Sequence, residues 1–517
     1  MKRPRTGSVT AKAVADSGRY LRTDHLRTDL KGRSIRSSAV TLVSQGCKFF
    51  LQIGMTVVLA RLLTPEDYGL FGVAFAVTTF FALFKDLGLS LSTVQSAEIN
   101  HEQISTLFWI NAALGCTLAL LVALVTPLIS WFYGEPRLAS VMLAMAAGFV
   151  LIGVSGQHQA LLRRQMRFTT LVIIETTAMF VGATVAVISA WHGARYWALV
   201  FMHLSMETVQ ACGVWITCGW RPGLPSRRAG VRSMLAFGGH LTAFDILSYF
   251  THVFDNLLIG WYWGARQLGF YEKAYQLLML PVTQFNAPIS GVAHTTLSRL
   301  RNEPERYRIY LNKCILLTVG CGMPLVAFLF VAADEAVPLI LGPQWVSVIP
   351  IFRALAPAAF LRTFTVCTGW IFVSLGRTGR QFRWALVTTT ITVLIFLVAV
   401  RWGPVGVAVA YSCWRSVVAL PTLIYCCKDS PLRWTKLVET AVRPALAAVG
   451  AAVGLVIIER WLPLIANPFV DLVCDGVLYG SLYLAIWLVL PDGRRILTDN
   501  LRLITILWQK PEAVYQD

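Results

Sequence analysis

Charge is what this chain has least of. Asp, Glu, Lys and Arg make up 14% of its 517 residues, where a soluble domain carries about 25%. The deficit is local. Residues 103–134, QISTLFWINAALGCTLALLVALVTPLISWFYG, hold no charged side chain, and neither do residues 314–333, CILLTVGCGMPLVAFLFVAA. A helix needs about 20 apolar residues to cross hydrocarbon, so each run is long enough. Such runs exclude an ordinary soluble domain. Their continuity excludes a porin-like barrel, whose short strands alternate apolar and polar residues.

Familiar chemical signatures are missing too. There is no G-x-x-x-x-G-K-[ST], no H-E-x-x-H and no G-x-S-x-G. Nothing therefore points to ATP hydrolysis on this chain, to a zinc protease or to a serine hydrolase, and no enzyme activity is expected. The eleven Cys include no C-x-x-C. They sit in or beside apolar runs and read as small apolar residues. No metal site and no cofactor are expected, although proton or sodium coupling stays open. No cleavable signal peptide is expected either: the first apolar run begins near Ala39, behind a long basic tail, and is too long for a signal core.

What remains is an all-α polytopic membrane protein. Apolar runs give about fourteen transmembrane helices. The expected division is a basic tail (1–36), six spans (37–218), a basic linker (219–232), six more spans (233–427), a C-terminal helix pair (438–490) and a second tail (491–517). Lys and Arg set the orientation. Alternate connections carry Arg163, Arg164 and Arg167, then Arg221, Arg227, Arg228 and Arg232, then Arg377, Arg380 and Arg383, whereas the opposite set carries single arginines such as Arg137, Arg195 and Arg266. Both termini are therefore expected in the cytoplasm. The net charge of +18 is read as this topology signal, and no nucleic-acid partner is expected. The outward connections, LTPED, YGEPR, WHGARY, YWGARQ and ADEAVPLILGPQW, are too short to hold a catalytic domain.

The two groups of six spans look like parallel repeats. ARLLTPEDYGLFGVAF (Ala60–Phe75) and GWYWGARQLGFYEKAY (Gly260–Tyr275) occupy the same place in each and set Gly69 and Gly269 among bulky residues. Two like bundles around a cleft are a recurrent transporter design. The first helix of each repeat carries a polar stripe. Thr41, Gln45, Lys48, Gln52 and Thr56 share one helical face, as do Asp245, Ser248, His252 and Asp255. Charges at hydrocarbon depth face a bundle interior or a watery cavity, so the stripes suggest an aqueous cavity. Further buried polar candidates are Glu175, the set His203, Glu207 and Gln210, the pair Lys85 and Asp86, the set Glu272, Lys273, Gln276 and Gln284, and Arg353, Arg362 and Arg415. Internal ion pairs and snorkelling end charges account for some of these equally well.

VLARLLTPEDYGLFGVA resembles the turn after the first helix of polysaccharide flippases in the multidrug/oligosaccharidyl-lipid/polysaccharide exporter superfamily. The stretches KDLGLSLSTVQ, QALLRRQMRF, FDNLLIGWYWGARQLGFYEKAYQLLMLP, LGPQWVSVIPIFRALA and GWIFVSLGRTGRQFRWALV resemble, in order, the Wzx type and its colanic-acid-exporter-like branch. The resemblance implies two six-helix lobes plus a helix pair in the bacterial inner membrane. It implies flipping of undecaprenyl-diphosphate-linked oligosaccharides for exopolysaccharide, capsule or O-antigen synthesis, with polymerase and export machinery as possible partners. It also implies that cavity cations meet the diphosphate. The candidates for substrate contact are Gln45, Lys48, Gln52, Lys273, Arg353 and Arg362, and those for ion coupling are Glu175, Glu207, Asp245 and Asp255. A multidrug/cation antiporter of the same superfamily and a peptidoglycan-precursor flippase are the alternatives.

Overall fold

The computed structural model describes residues 30–85, 90, 93–94, 99–226, 232–430, 432–461 and 467–490. All regular structure among them is helical. In chain order the helices are α1 (Leu30–Leu62), α2 (Pro65–Ala82), α3 (His101–Tyr133), α4 (Arg137–Arg164), α5 (Phe168–Trp191), α6 (Trp197–Cys218) and α7 (Arg232–Arg299). They continue with α8 (Pro304–Val331), α9 (Ala333–Leu341), α10 (Val348–Ser374), α11 (Thr378–Ala399), α12 (Gly403–Cys427), α13 (Trp434–Glu459) and α14 (Pro468–Val489). Nine helical stretches among the described residues are long and apolar enough to cross a membrane. The criterion passes over α1, α2 and α7. Polar side chains interrupt α1 and α7, and α2 opens on Glu66 and Asp67. Large apolar side chains such as Leu124, Ile216 and Val417 point outward, as they do where the solvent is lipid.

The chain forms two compact units, Met1–Gly269 and Phe270–Asp517. In the first, α3 pairs with α4 and α5 with α6, while α1 lies along α5. The start of α2 is specified locally. Thr64 accepts from the Asp67 amide, Asp67 accepts from the Thr64 amide, and Pro65 occupies the first turn, where its missing N–H costs nothing. The buried Asp67 carboxylate also accepts from the Tyr196 amide at 3.2 Å, which ties α2 to the α5–α6 turn. Residues of α7 before Gly269 belong to this unit because their side chains anchor there. Tyr249 donates to the Ala76 carbonyl at 2.7 Å, and Tyr133 to the Leu257 carbonyl at 3.1 Å.

The expected connection at YWGARQ is very short. The stretch labelled α7 is two helices that meet at Gly264, whose backbone (φ 80°, ψ 173°) is not helical. Only the backbone at Gly264 leaves helical geometry, in a region that favours glycine. The expected outward connection ADEAVPLILGPQW folds into α9 and a 3₁₀ turn at Pro343–Trp345.

In the second unit α8 packs on α10 and α13, α10 on α12, and α13 on α14. Its core is aromatic with satisfied polar tips. Tyr307 shares a hydrogen bond with Ser374 at 2.7 Å, Trp370 donates to Ser290 at 3.0 Å, and Tyr483 donates to the Gly320 carbonyl at 2.9 Å. Cys314, Cys367, Cys426 and Cys427 are buried free thiols in that core.

Candidate functional site

In the first unit the polar face of α1 meets α5. Lys48 Nζ lies 2.6 Å from Glu175 Oε2, with the Lys side chain mostly covered and the Glu side chain 38% exposed. Two residues proposed for different roles, phosphate contact and ion coupling, thus form one ion pair. Gln45 is exposed and Gln52 half-buried on the same face. On α6, Glu207 and His203 stand one turn apart and are half-buried, and the Lys85 charge at the end of α2 acts on both. Asp255 is buried on α7, its Oδ1 accepting from the Asn256 amide at 3.0 Å. The side chains of Asp245, Ser248 and His252, and the whole of Asp86, lie outside the described residues.

In the second unit three candidate cations take distinct partners. Lys273 is buried and donates to Gln276 Oε1 at 2.9 Å, with Glu272 as its neighbour in sequence. Arg353 is engaged on several sides. It pairs with Asp334 at 2.6 Å and points at the carbonyls of Phe330 and Val331 at 3.3 and 3.5 Å. This ties the start of α10 to the α8–α9 junction. Arg362, half-buried one helix stretch further along α10, donates to the Tyr275 hydroxyl at 3.1 Å. Tyr275 is a neutral partner, so the Arg362 guanidinium keeps its full charge and further N–H donors. The chemical contrast matters. A carboxylate neutralises Lys48 and Arg353 in place, whereas a phenol leaves Arg362 able to take a phosphate by charge-assisted, two-pronged hydrogen bonds.

Two polar groups escaped the sequence reading. Arg137 pairs with Glu66 at 2.6 Å and with Glu135 at 2.8 Å, joining the α3–α4 turn to the start of α2. The Arg137 hydrogen bond, outweighing burial, holds the Glu135 carboxyl below the usual carboxylate range. Second, Glu335, Asp471 and Asp475 bring carboxylate oxygens within 4.8 Å of one another. Burial and then the charges of Asp475, Glu459 and Asp471 push the Glu335 carboxyl up to about 7. A signal for the second group existed in Asp471 and Asp475, four apart on α14 and so on one face, but Glu335 is far away in sequence.

Among the described residues, nine helical stretches long and apolar enough to cross a membrane, with ion pairs such as Arg353–Asp334 among the helices, define a polytopic α-helical membrane protein. A comparison of folds agrees. The chain superposes on a structure titled "Lipid II flippase MurJ, inward closed conformation" with a TM-score of 0.71 and 13% identity, covering 87% of this chain and 98% of that one. It also superposes on an inward-facing multidrug resistance MATE family transporter of the MOP superfamily with a TM-score of 0.57 and 14% identity, covering 76% and 95%. The particular family comes from sequence. Residues 58–350 match the model of the "Polysaccharide biosynthesis protein" family, more than half of the chain, and the chain belongs to that family. Among curated proteins it is 27% identical to the lipopolysaccharide biosynthesis protein WzxC of Escherichia coli over 361 residues, 68% of this chain and 73% of that protein. It is 25% identical to the teichuronic acid biosynthesis protein TuaB of Bacillus subtilis over 66% of this chain and 72% of that one. The succinoglycan biosynthesis transport protein ExoT of Rhizobium meliloti is 24% identical over 75% and 78%.

Proposed function

We propose that this protein flips undecaprenyl-diphosphate-linked oligosaccharide repeat units from the cytoplasmic to the outer leaflet of the bacterial inner membrane. The units then feed exopolysaccharide, capsule or O-antigen assembly. Within the site, the observation that carries the reading is Arg362, an intramembrane guanidinium whose hydrogen-bond partner is the neutral Tyr275 hydroxyl. A charge kept within a span calls for an anionic ligand or a watery path, and a lipid diphosphate supplies the anion. Family membership supports the polysaccharide class of the cargo, and the basic connections support cytoplasmic termini.

In this reading Arg362 and Lys273 of the second unit meet the diphosphate, and Gln45 and Gln52 of the first meet sugar hydroxyls. Lys48 becomes available to phosphate only when Glu175 releases it. Protonation of Glu175 cancels the attraction at 2.6 Å and frees the ammonium for phosphate. Phosphate binding and proton uptake are then linked through one ion pair. Glu207, Asp245 and Asp255 are the other carboxylates available to a coupling proton or sodium ion. Alternating exposure of two repeat lobes moves the head group while the lipid tail stays in the bilayer. Arg353 does not take part in this scheme, because Asp334 and two carbonyls occupy it. A polymerase and export machinery would act next on the product.

The test is gene deletion with lipid extraction. Accumulation of a diphosphate-linked oligosaccharide on the cytoplasmic side, with loss of surface polymer, is the expected result. Accumulation of peptidoglycan precursor instead, or altered drug susceptibility with normal polymer, would sink it.

A further inference from the structure

Arg415 has no part in the scheme above. It stands at the middle of α12, roughly 18 Å from either end at 1.5 Å per residue, farther than a side chain snorkels to reach water. Val405, Val409, Val417, Leu420 and Ile424 form the exposed apolar stripe of that helix. On its other faces Ser412 donates to the Ala354 carbonyl of α10 at 2.5 Å, and Trp414 donates to Thr392 of α11 at 2.9 Å. Helical spacing puts Arg415 between these two bearings, on the side away from the stripe. Its side chain is half-buried there.

Among the described residues, none shares a hydrogen bond or an ion pair with this guanidinium. The reason is legible in the sequence: α10, α11 and α12 contain no Asp and no Glu. A guanidinium keeps its charge and its N–H donors at any ordinary pH, and holding them without a counter-charge at hydrocarbon depth is costly. Its place relative to Arg362 follows from helix register. Ser412 meets Ala354 and Cys426 meets Thr368, both pairs 58 residues apart, so α12 runs parallel to α10 and Arg415 is level with Pro357. Arg362 is then about 7–8 Å away along the helix axis. The lipid diphosphate carries one negative charge per phosphate, which Arg362 and Lys273 match one for one. Arg415 is a cation beyond that match, and the offset lets the two guanidiniums hold different groups of one cargo.

We propose that Arg415 binds a carboxylate on the sugar portion of the cargo, so that the protein selects repeat units containing an acidic sugar. The proposal rests on the flipping function above. A carboxylate accepts two parallel N–H bonds from one guanidinium and cancels its charge. A sugar hydroxyl also accepts a hydrogen bond, but it leaves the charge uncompensated within a span. Selection follows from that difference. A neutral repeat unit displaces water from Arg415 and offers no counter-charge, so it binds more weakly than an acidic one.

The test uses the full-length protein in detergent and three probes. They are undecaprenyl diphosphate without sugar, the lipid-linked oligosaccharide extracted from the deletion strain, and that oligosaccharide after carbodiimide activation and borohydride reduction. The reduction turns each carboxylate into a neutral hydroxymethyl group. Binding is read from the rise in melting temperature with probe concentration. The extracted oligosaccharide is expected to contain an acidic sugar. The native protein is expected to bind it about tenfold or more tightly than the reduced form, the worth of one charged hydrogen-bond pair. Arg415→Gln should lose that preference and still bind undecaprenyl diphosphate as the native protein does, while Arg415→Lys keeps part of the preference. Comparing the two oligosaccharides on the native protein requires no variant, so misfolding of a variant leaves the proposal testable. It is overturned if the oligosaccharide carries no carboxylate, or if the native protein binds both forms equally. It is also overturned if Arg415→Gln weakens undecaprenyl diphosphate as much as the oligosaccharide, because Arg415 would then be one more diphosphate ligand. Failure of the native protein to bind any of the three probes overturns the flipping function itself.

Discussion

Gly69 of α2 packs directly on the backbone carbonyl of Ala265 in α7, and four residues on, Gly269 packs in the same way on the carbonyl of Pro65. The contact is reciprocal: Pro65-x-x-x-Gly69 faces Ala265-x-x-x-Gly269. Small residues four apart let two helix backbones approach more closely than any side chain allows. The duplicated glycine motif of the sequence is therefore two halves of a single crossing.

Substitution at that crossing should be expensive. A Cβ on Gly69 would overlap the Ala265 backbone, and one on Gly269 the Pro65 backbone. Gly69→Ala is expected to cost about 1–3 kcal/mol by overpacking and Gly69→Val more. Gly54→Ala, where nothing lies within 4 Å of the added atom, should be neutral or stabilise by roughly 0.5–1 kcal/mol. Melting temperatures of the purified variants check the contrast; equal melting of Gly69→Ala and native protein would refute it.

The Lys48–Glu175 pair separates a structural role from a transport role. Lys48→Ala leaves Glu175 without its partner and should lower both stability and polymer output. The double variant Lys48→Ala/Glu175→Gln removes the stranded charge and should recover most of the stability. If Lys48 meets substrate, polymer output stays low in the double variant. Recovery of both together would reduce the pair to a packing device.

Arg362 should behave differently from Arg353. Loss of the hydrogen bond to Tyr275 costs about 0.5–1.5 kcal/mol, so Arg362→Ala should fold and reach the membrane yet lose polymer output. Arg362→Lys keeps the charge but not the two-pronged geometry, and should restore output only in part. For Arg353→Ala the order reverses, with lower stability and residual transport. Quantified surface polymer, normalised to protein in the membrane, distinguishes them.

Acid should loosen the end of the first unit that carries the α3–α4 turn. Arg137 depresses the Glu135 carboxyl in the folded state. A depressed carboxylate contributes stability that is present above its unfolded value near 4.5 and is lost as pH falls through the lower folded value. Melting temperature should therefore fall below about pH 4.5, and Arg137→Gln should flatten that part of the profile. The pair is partly exposed and screened by solvent, so the effect stays within about 1 kcal/mol.

Much of the architecture is readable from the chain itself. Apolar runs mark α3 and α8, and Thr64-Pro65-Glu66-Asp67 announces the start of α2, because hydropathy and helix capping act over a few residues. The shared face of Gln45, Lys48 and Gln52 follows from helical spacing alone. That the YWGARQ connection narrows to a break at the single residue Gly264 was not readable, since a lone glycine serves a loop or a kink equally well.

Partner choice is the other kind of information. Sequence alone determined that this is a helical, many-span membrane protein carrying charges where hydrocarbon should be, and which charges those are. Only the tertiary structure decided that Lys48 is held by Glu175, 127 residues away, that Arg353 belongs to Asp334 while Arg362 keeps a neutral partner, and that Glu335 meets Asp471 and Asp475. The physical reason is range. Helix formation and membrane partitioning depend on neighbours along the chain, whereas the strength and meaning of an ion pair depend on a few ångströms between residues that the chain brings together only by packing its helices.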